Sequence, residues 1–365
     1  MQAFPILILK TGALGDVLRT TSILPGLKRR YAGAQITWLT ADGAVDLVRL
    51  HPQVDRTLGV ALKTSGAIAR AGDELARTEW RRVISLDDED ELCDLATRLA
   101  APWERAGVLS GAHRARDGRR AYTSDVGPWF DMGLLSVHGK ARADELKIEN
   151  RESHPAIYAR MLGIERGAPR LELTPQAHAF GRAFVERHGL KRGRRLVGLN
   201  TGSGGRWESK KLSVERTIET ARALHAARQG AVEFALLGGP DEAARNAAIR
   251  SGLPPELRCV DAGTDNPLLE FGALVGELDL LLTSDSLALH VALARGVRCV
   301  AFFAPTSAAE IEFYGLGEAV ASTSPDACSY RPDADNSTIT PRRLVDACLR
   351  WLDPRPPGAQ QGSST

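Results

Sequence analysis

Cysteine is scarce in this sequence, and its spacing excludes the usual cysteine-based sites. The five cysteines lie far apart along 365 residues, at Cys93, Cys259, Cys299, Cys328 and Cys348. No two of them form a C-x-x-C pair, and an odd number does not suggest a complete disulfide framework or a cysteine zinc site. We therefore expect reduced thiols in a cytosolic protein.

An excess of charge of either sign is also absent. The chain has 47 Lys and Arg residues against 45 Asp and Glu residues, which gives a net charge of +2. A balance so close to zero gives no reason to expect a nucleic-acid partner, and any basic surface must be local.

Long apolar runs are missing as well. No stretch approaches the roughly 18 apolar residues that are needed to cross a bilayer. The apolar residues up to Leu9 have no basic leader and run into a glycine loop, so they indicate a strand rather than a signal peptide. We expect a cytoplasmic protein, peripheral to the inner membrane at most. The Pro-, Gly- and Ser-rich residues 353–365 are predicted to be disordered.

What the sequence does contain is the composition and patterning of an α/β protein. It is 43% hydrophobic and 25% charged, and its length favours two domains over a single core. Short apolar runs alternate with amphipathic stretches, which is typical of βα units around mostly parallel sheets. The runs that predict strands are Pro5–Leu9, Gln35–Leu39, Arg82–Leu86, Ala106–Leu109, Arg195–Leu199, Val232–Leu237, Leu280–Thr283 and Arg298–Phe303.

The turn residues Gly167–Arg170 separate two similar halves, so we predict domains over residues 1–170 and 171–352. In each half the first strand leads through a glycine loop into a helix. These helices are predicted at Asp16–Tyr31, with Pro25 as a local kink, and at about Ser213–Ala227. Two sheets of this kind imply a ligand cleft between the domains, at the carboxyl ends of both sheets.

The loop after the first strand combines anion-binding residues with a carboxylate. Gly12 and Gly15 let backbone N–H groups approach a ligand, and Lys10 adds a cation. The loop is neither G-x-G-x-x-G nor a Walker A motif, which argues against a dinucleotide oxidoreductase or a P-loop NTPase. Asp16 is a candidate general base, although a helix cap without catalytic function would have the same position.

Three further loops suit a nucleotide and a sugar. The segment Asn200–Lys211 contains glycines, hydroxyls and three cations, which favours a diphosphate site over a solvated surface loop. The strand Val232–Leu237 ends in glycines, and Glu242 after them would contact ribose. The strand Leu280–Thr283 ends near Asp285 and Ser286, whose carboxylate and hydroxyl would contact sugar and phosphate, unless they only begin a helix. The candidate donor-binding residues of these loops are Thr201, Gly202, Arg206, Lys210, Lys211, Gly239, Glu242, Asp285, Ser286 and His290, of which His290 has a packed core position as its alternative.

Taken in order, these elements resemble glycosyltransferase family 9, the lipopolysaccharide heptosyltransferases. The resemblance extends from Ile6 to about Gly315. It rests on the following segments: Lys10–Pro25, Asn200–Trp207, Gly238–Glu242, Thr283–His290 and Phe303–Gly315. Two positions depart from the family pattern, because Leu287 replaces a glycine and Arg206 replaces a lysine.

The resemblance implies a GT-B fold, with two Rossmann-like domains facing a central cleft. It also implies an inverting transfer that needs no metal or other cofactor, usually from an ADP-heptose donor. By position, Asp16 matches the general base of the family, and Asp285 with Ser286 matches its donor contacts. The carboxylate would take the proton of the acceptor hydroxyl as that oxygen attacks the anomeric carbon opposite the leaving diphosphate.

In this fold the acceptor would meet the N-terminal domain. Residues 111–120 form a predicted Gly-flanked loop that contains Arg114, Arg116, Arg119 and Arg120. Arginine pairs bidentately with carboxylates and phosphates, so this loop would bind an anionic glycan or small-molecule acceptor. A solvated loop without a ligand would have the same composition.

Three alternatives stay open. A metal-dependent transferase would use an Asp-x-Asp pair, and both Asp88-Glu-Asp90 and Asp333-Ala-Asp335 have that form, although acidic residues also favour the start of a helix. A nucleotide-sugar epimerase or hydrolase has the same donor requirements without an acceptor. A non-catalytic sugar-nucleotide-binding protein would not need the carboxylate of Asp16.

Overall fold

The computed structural model describes residues 2–100, 107–133, 135–205 and 207–352 of the chain. Within these ranges the protein contains two six-stranded sheets, each flanked by helices. Of the predicted features, Arg206 and the tail 353–365 lie outside the described residues.

The first sheet has the strand order β3-β2-β1-β4-β5-β6. Its pairs are parallel except for β5 and β6, which form an antiparallel hairpin. Helices cover both faces, so the central strand is apolar and almost wholly buried. The strands are β1 Phe4–Leu9, β2 Ala34–Ala41, β3 Arg56–Val60, β4 Arg82–Ser85, β5 Leu109–Arg114 and β6 Arg120–Tyr122.

The second sheet has the order β12-β11-β10-β7-β8-β9 and is parallel throughout. Counted from the first strand of each half, both sheets therefore have the same order, 3-2-1-4-5-6, which is the dinucleotide-fold arrangement. The strands are β7 Arg195–Asn200, β8 Val232–Leu237, β9 Cys259–Asp261, β10 Leu280–Ser284, β11 Cys299–Phe303 and β12 Gly317–Ala321.

The helices divide between the two sheets in chain order. Those of the N-terminal domain are α1 Leu14–Thr20, α2 Leu24–Arg30, α3 Ala67–Leu75, α4 Asp90–Leu99, α5 Gly127–Phe130, α6 Gly139–Glu149 and α7 His154–Leu162. Those that follow are α8 Pro175–Arg187, α9 Val214–Ala227, α10 Ala243–Gly252, α11 Leu268–Gly276, α12 Leu287–Ala294 and α13 Pro341–Leu352.

The structure corrects several predicted elements. The helix predicted at Asp16–Tyr31 is two helices, α1 and α2, joined by a 3₁₀ turn at Thr21–Ile23, and Pro25 lies in the first turn of α2, where its missing N–H costs nothing. The strand predicted at Ala106–Leu109 is β5, which begins only at Leu109. The strands β3, β6, β9 and β12 were not predicted, because they are short and lie at or near the sheet edges.

The connection between the domains passes along α1 and α2. Thr21 Oγ1 accepts a hydrogen bond from the Arg170 N–H at 3.1 Å, and Arg30 donates to the Gly163 carbonyl. One residue later the chain has joined the second domain, where the Arg295 guanidinium donates to the Leu171 carbonyl at 3.0 Å. The chain thus changes its hydrogen-bond partners between Arg170 and Leu171.

Helix α1 packs directly against α12 of the other domain. A Cβ atom on Gly15 would lie 2.5 Å from Cδ2 of His290, a distance that real Cβ atoms do not adopt. Around this contact, buried apolar residues of both domains form one continuous cluster, to which Val17, Leu18, Ala288 and Val291 belong. Glycine at position 15 therefore allows the close approach that brings the two carboxyl ends together.

Two sequence expectations concern the environment of the chain. All five cysteines are free thiols, as predicted. Within the described ranges, no helix combines the length and the apolar character that a membrane span requires.

Candidate functional site

The fold places two loops where ligands bind in sheets of this type. The strand order reverses between β1 and β4 in the first sheet and between β7 and β10 in the second. The crevice outside the carboxyl ends at such a reversal is the usual ligand site. Residues 10–16 and 87–90 follow the first pair of strands, and residues 200–205 and 285–286 follow the second pair.

Asp16 lies in the first turn of α1, where Ala13 rather than Asp16 is the N-cap residue. Its carboxylate pairs with the Arg19 guanidinium at 2.8 Å, one helical turn away, and is about one-third exposed. The capping contact that Asp16 accepts from the Ala13 N–H is weak, at 3.4 Å. Burial alone would raise the pKa of Asp16, but the charges of Arg19, Lys10 and His290 lower it below the ordinary value. Asp16 is therefore an ionised carboxylate at neutral pH.

Lys10 does not point freely into the cleft. Its ammonium is buried against the Asp87 carboxylate, which also accepts hydrogen bonds from the Thr11 N–H and, at 2.8 Å, from the Thr11 hydroxyl. Burial opposes the charge on Lys10, but Asp87 and then Asp16 raise the pKa of Lys10 above the ordinary value. The pair joins the ends of β1 and β4 and fixes the loop that precedes Asp16.

In the second domain, Asp285 and Lys210 form an ion pair of 2.9 Å. Burial favours the neutral carboxyl, but the Lys210 ammonium and then His290 lower the pKa of Asp285 to about 2. His290 is 6% exposed, and burial with the nearby Arg19 charge lowers its pKa to about 4. His290 is therefore neutral at neutral pH and packs under α1, so it supplies no positive charge to a diphosphate.

The loop after β7 is held by its own polar side chains. Asn200 donates from Nδ2 to the Gly202 carbonyl at 2.7 Å and to Thr283 Oγ1 at 3.0 Å, which ties β7 to β10. Thr201 is buried, and its hydroxyl donates to Asn246 Oδ1 at 2.6 Å. This side chain therefore stabilises the loop. Ser286 is the N-cap residue of α12, yet no side-chain capping bond forms there. Its hydroxyl lies 3.1 Å from that of Thr283 instead.

Glu242 is buried at the start of the segment after β8. It accepts the Gly239 N–H at 3.0 Å and pairs with the Lys211 ammonium at 3.1 Å. A Cβ atom on Gly202 would lie 2.6 Å from Glu242 Oε2, so the glycine allows the two loops to meet. Burial opposes the charge on Lys211, but Glu242 and Glu208 raise its pKa above the ordinary value. Gly239, Glu242 and Lys211 thus form one connected group beside the loop after β7.

The predicted arginine loop is a β-hairpin, formed by β5 and β6, and its tip projects from the carboxyl edge of the first sheet. Arg114 pairs with Asp94 at 2.7 Å and with Asp90 at 3.0 Å, and Arg120 also pairs with Asp90, at 2.9 Å. Arg119 is 85% exposed and pairs with Asp117 within the hairpin. Arg116, at the tip, also has a polar contact. Carboxylates of α4 thus hold Arg114 and Arg120 at the base of the hairpin, whereas Arg119 lies at its exposed end.

The two Asp-x-Asp segments have other partners. Asp88 accepts the Tyr122 hydroxyl at 2.7 Å, and Asp90 pairs with arginines of the hairpin. Asp333 pairs with Arg331, and Asp335 accepts hydroxyls of serine side chains. Among the residues that the structure describes, no group of three or more His, Cys, Asp or Glu side chains is arranged to hold a metal ion.

Sequence reasoning missed three residues that shape the site. Asp87 follows β4 in an acidic run whose pattern indicates only the start of a helix. Arg19 has the i,i+3 spacing to Asp16 that favours an ion pair on a helix, so its role was detectable from the predicted helix. Glu310, which lies 3.7 Å from Arg19, comes from the other domain, and no local pattern indicates it.

Residues 172–333 match the family described as glycosyltransferase family 9 (heptosyltransferase). Lipopolysaccharide heptosyltransferase 1 of Salmonella typhimurium is 31% identical over 105 residues, which cover 26% of this chain and 33% of that protein. The chain thus spans about a third of the length of this curated relative. The predicted resemblance to the family is confirmed over this part of the chain.

Solved structures extend the likeness to the whole fold. A glycosyltransferase family 9 protein from Veillonella parvula has a TM-score of 0.76 at 20% identity, covering 96% of this chain and 98% of that one. The E. coli heptosyltransferase WaaC with ADP-2-deoxy-2-fluoro heptose has a TM-score of 0.56 at 18% identity, covering 96% and 99%. At such identities the likeness establishes the fold, which is the predicted GT-B arrangement of two Rossmann-like domains facing a cleft.

The Lys10 and Asp87 pair gives a stability prediction. Lys10→Met leaves the Asp87 carboxylate buried without a cation, so the free energy of unfolding should fall by about 3–5 kcal/mol. The double variant Lys10→Met with Asp87→Leu should recover much of this loss, because no charge is then left unpaired. Urea unfolding followed by circular dichroism measures both. If Lys10→Met alone were as stable as the double variant, Lys10 and Asp87 would not form a buried ion pair.

Proposed function

We propose that this chain acts along its whole length as a glycosyltransferase that moves a sugar, a heptose from an ADP-heptose donor, onto an acceptor hydroxyl with inversion. One observation carries the proposal. Gly15, the residue before Asp16, packs against the His290 ring of α12 in the other domain, and α12 begins two residues after Asp285. A base and a donor-binding carboxylate thus face each other across one cleft.

The donor diphosphate would lie between the loop after β7, residues 200–205, and the start of α12. The first-turn N–H groups of α12 have no side-chain cap, and such groups favour a phosphate. Lys210 and Lys211 lie on the same side of the cleft, each held by a carboxylate. Fixed donors and cations stabilise the negative charge that develops on a departing diphosphate. The nucleoside would then lie along Gly239 and Glu242.

Two features of relatives support the donor assignment. The E. coli heptosyltransferase WaaC was solved with an ADP-heptose analogue, and the match to heptosyltransferases covers the half of the chain that would bind the donor. Leu287, where the family has a glycine, lies at the first position of α12 beside these contacts. Its side chain is partly buried against the apolar cluster of the two domains.

Asp16 would act as the base without an intermediate. Its carboxylate would accept the proton of the acceptor hydroxyl while that oxygen attacks the anomeric carbon, and the carbon–oxygen bond to the diphosphate breaks on the opposite face. Because the charges around it hold its pKa below the ordinary value, Asp16 is ready to accept a proton at neutral pH. Transfer in this scheme requires no metal ion, so activity should persist in excess EDTA.

Replacing Asp16 tests the base. Asp16→Asn should lower kcat by roughly 10²–10⁴-fold, the usual contribution of a positioned acid–base group, while the Kd for ADP-heptose changes little. The measurement is acceptor-dependent release of ADP, with calorimetry for the donor. Asp46→Asn is the matched control, because Asp46 forms the same i,i+3 pair with an arginine, Arg49.

The same assay separates the alternatives. Near-normal turnover by Asp16→Asn would return this residue to a structural role. Donor turnover without an acceptor would indicate an epimerase or hydrolase, and binding without any turnover would indicate a sugar-nucleotide-binding protein. Loss of activity in EDTA with rescue by Mn²⁺ would favour a metal-dependent transferase.

Asp285 should distinguish the sugar from the nucleotide. If it accepts hydrogen bonds from sugar hydroxyls, Asp285→Ala should weaken ADP-heptose binding by about 10–100-fold. Free ADP should bind equally well or more tightly, because Lys210 is released from its ion pair. Calorimetry with both ligands measures this, and Asp346→Ala, an exposed acid on α13 of the same domain, controls for the lost charge. Equal losses for both ligands would remove Asp285 from the sugar site.

We propose that the arginine hairpin binds the acceptor, at the carboxyl edge of the N-terminal sheet. Its ion pairs do not prevent this, because pairs as exposed as that of Arg119 with Asp117 are weak and an anionic acceptor can replace the carboxylate. Arg120 is more buried and is oriented by Asp90. A phosphorylated or carboxylated core glycan fits this surface, and with such an acceptor the protein would work at the inner face of the membrane.

The double variant Arg119→Ala with Arg120→Ala should raise the acceptor KM and flatten its dependence on salt, because two cations that attract the anion are removed. The donor KM should not change. Steady-state kinetics at several salt concentrations measure both constants. Arg70→Ala with Arg77→Ala removes the same charge from exposed positions on and after α3. An acceptor KM that responds equally to both double variants would exclude the hairpin from the site.

A further inference from the structure

Arg19 lies between the proposed base and the opposite domain. Its guanidinium contacts Asp16 through Nη2 at 2.8 Å and Glu310 through Nη1 at 3.7 Å. Glu310 belongs to the 3₁₀ turn Ala308–Glu310, which follows β11 of the C-terminal domain. One side chain therefore contacts a carboxylate of each domain.

Arg19 and its partner Glu310 are each held by a further contact. The guanidinium stacks over the Trp129 ring at 5.3 Å, and only 12% of the side chain is exposed. Glu310 accepts the Tyr330 hydroxyl at 2.8 Å through its other oxygen. A planar guanidinium that packs on a ring and pairs with the held Glu310 carboxylate has little freedom to turn, because its donors form a rigid fork.

A second ion pair joins the same turn to the N-terminal domain. Arg166 pairs with Glu312 at 2.9 Å, and the Ser153 hydroxyl lies 3.4 Å from the same carboxylate. Residues 308–312, named here the bridging segment, thus meet the other domain at two points. Of these two points, it is Arg19 that also pairs with Asp16.

We propose that Arg19 is a positioning residue, which orients the Asp16 carboxylate and links it to the C-terminal domain through Glu310 of the bridging segment. The proposal rests on the proposed function in that Asp16 is the base. Its consequence is that the base is correctly oriented only when the bridging segment is in contact with the N-terminal domain.

The charges around Asp16 give the proposal a pH signature. Burial raises the pKa of Asp16, as does the charge of Asp285, whereas Arg19 and then Lys10 lower it, and His290 adds to this when it is charged. Lys10 is held by Asp87, and His290, with a pKa of about 4, is neutral at neutral pH. Removing Arg19 therefore removes the largest effect that favours the carboxylate, and the pKa of Asp16 should rise.

The first experiment does not depend on activity. The ¹³C carboxyl resonances of labelled aspartate are followed against pH in the full chain, and the Asp16 signal is assigned by its absence in Asp16→Asn. We expect titration of Asp16 below the ordinary aspartate range in the parent, a move to higher pH in Arg19→Gln, and a smaller move in Arg19→Lys. Arg166→Gln, which breaks the other pair of the bridging segment, should leave the Asp16 signal unchanged.

The second experiment is kinetic. Arg19→Gln should lower kcat by about 100-fold, the cost of misplacing a reacting group, with little change in donor KM. The acid limb of kcat/KM against pH should move to higher pH, because the base must be deprotonated. Arg19→Lys should recover part of kcat. Glu310→Gln should lower kcat without moving the acid limb to higher pH, because it removes a negative charge that acts on Asp16. Circular dichroism and the urea midpoint identify variants that have lost the fold.

The outcomes separate the two proposals. An unchanged Asp16 titration in Arg19→Gln, or equal kinetic losses in Arg19→Gln and Arg166→Gln, would overturn the positioning role. If Asp16→Asn remains active, the proposed base is wrong, and the titration still decides whether Arg19 controls that carboxylate. A shifted titration together with a shifted acid limb supports both.

Discussion

The contact between α1 and α12 is the constraint on which the site depends. Each sheet alone has a crevice at its strand reversal, but neither crevice contains both Asp16 and Asp285, the proposed base and the proposed donor-binding carboxylate. The missing side chain of Gly15 lets the buried His290 ring lie against the first turn of α1. Asp16 occupies the next position, so the contact that joins the domains also sets the position of the proposed base relative to Asp285. A larger residue at position 15 would separate the two carboxylates before it disturbed either sheet.

Burial and charge compensation then act together in the cleft. Four cations, namely Lys10, Arg19, Lys210 and Lys211, have carboxylate partners. Removing an ionised group from water is costly unless an opposite charge is near. Three of these pairs connect two segments of chain: Lys10 joins β1 with β4, and Lys210 and Lys211 join their segment to those around Asp285 and Glu242. Arg19 connects the two domains through its second partner, Glu310. The charges that suit the proposed chemistry also order the loops that carry them.

The sequence predicted the central features and missed those that depend on tertiary contacts. The strands β7, β8, β10 and β11 are continuous apolar runs that are buried on both faces, so composition alone indicates them. The edge strands β3 and β12 are short and partly exposed, and no such run marks them. The apolar spacing of α1 continues through the 3₁₀ turn into α2, so the break was not visible. The pairing of Arg19 with Glu310 joins distant parts of the chain and has no local pattern.

In the proposed donor site, the cations already have carboxylate partners that an anionic ligand must displace. A ligand that enters the second domain meets ammonium groups that already have counterions, Asp285 for Lys210 and Glu242 for Lys211. An uncharged nucleoside offers nothing to exchange for these carboxylates, whereas a diphosphate can replace one and leave it to accept hydrogen bonds from a sugar. With the proposed donor, selection for the intact sugar nucleotide would arise from this displacement, since each carboxylate that loses its cation needs a hydroxyl as its new partner. A nucleoside diphosphate without its sugar frees the carboxylate and supplies no such hydroxyl.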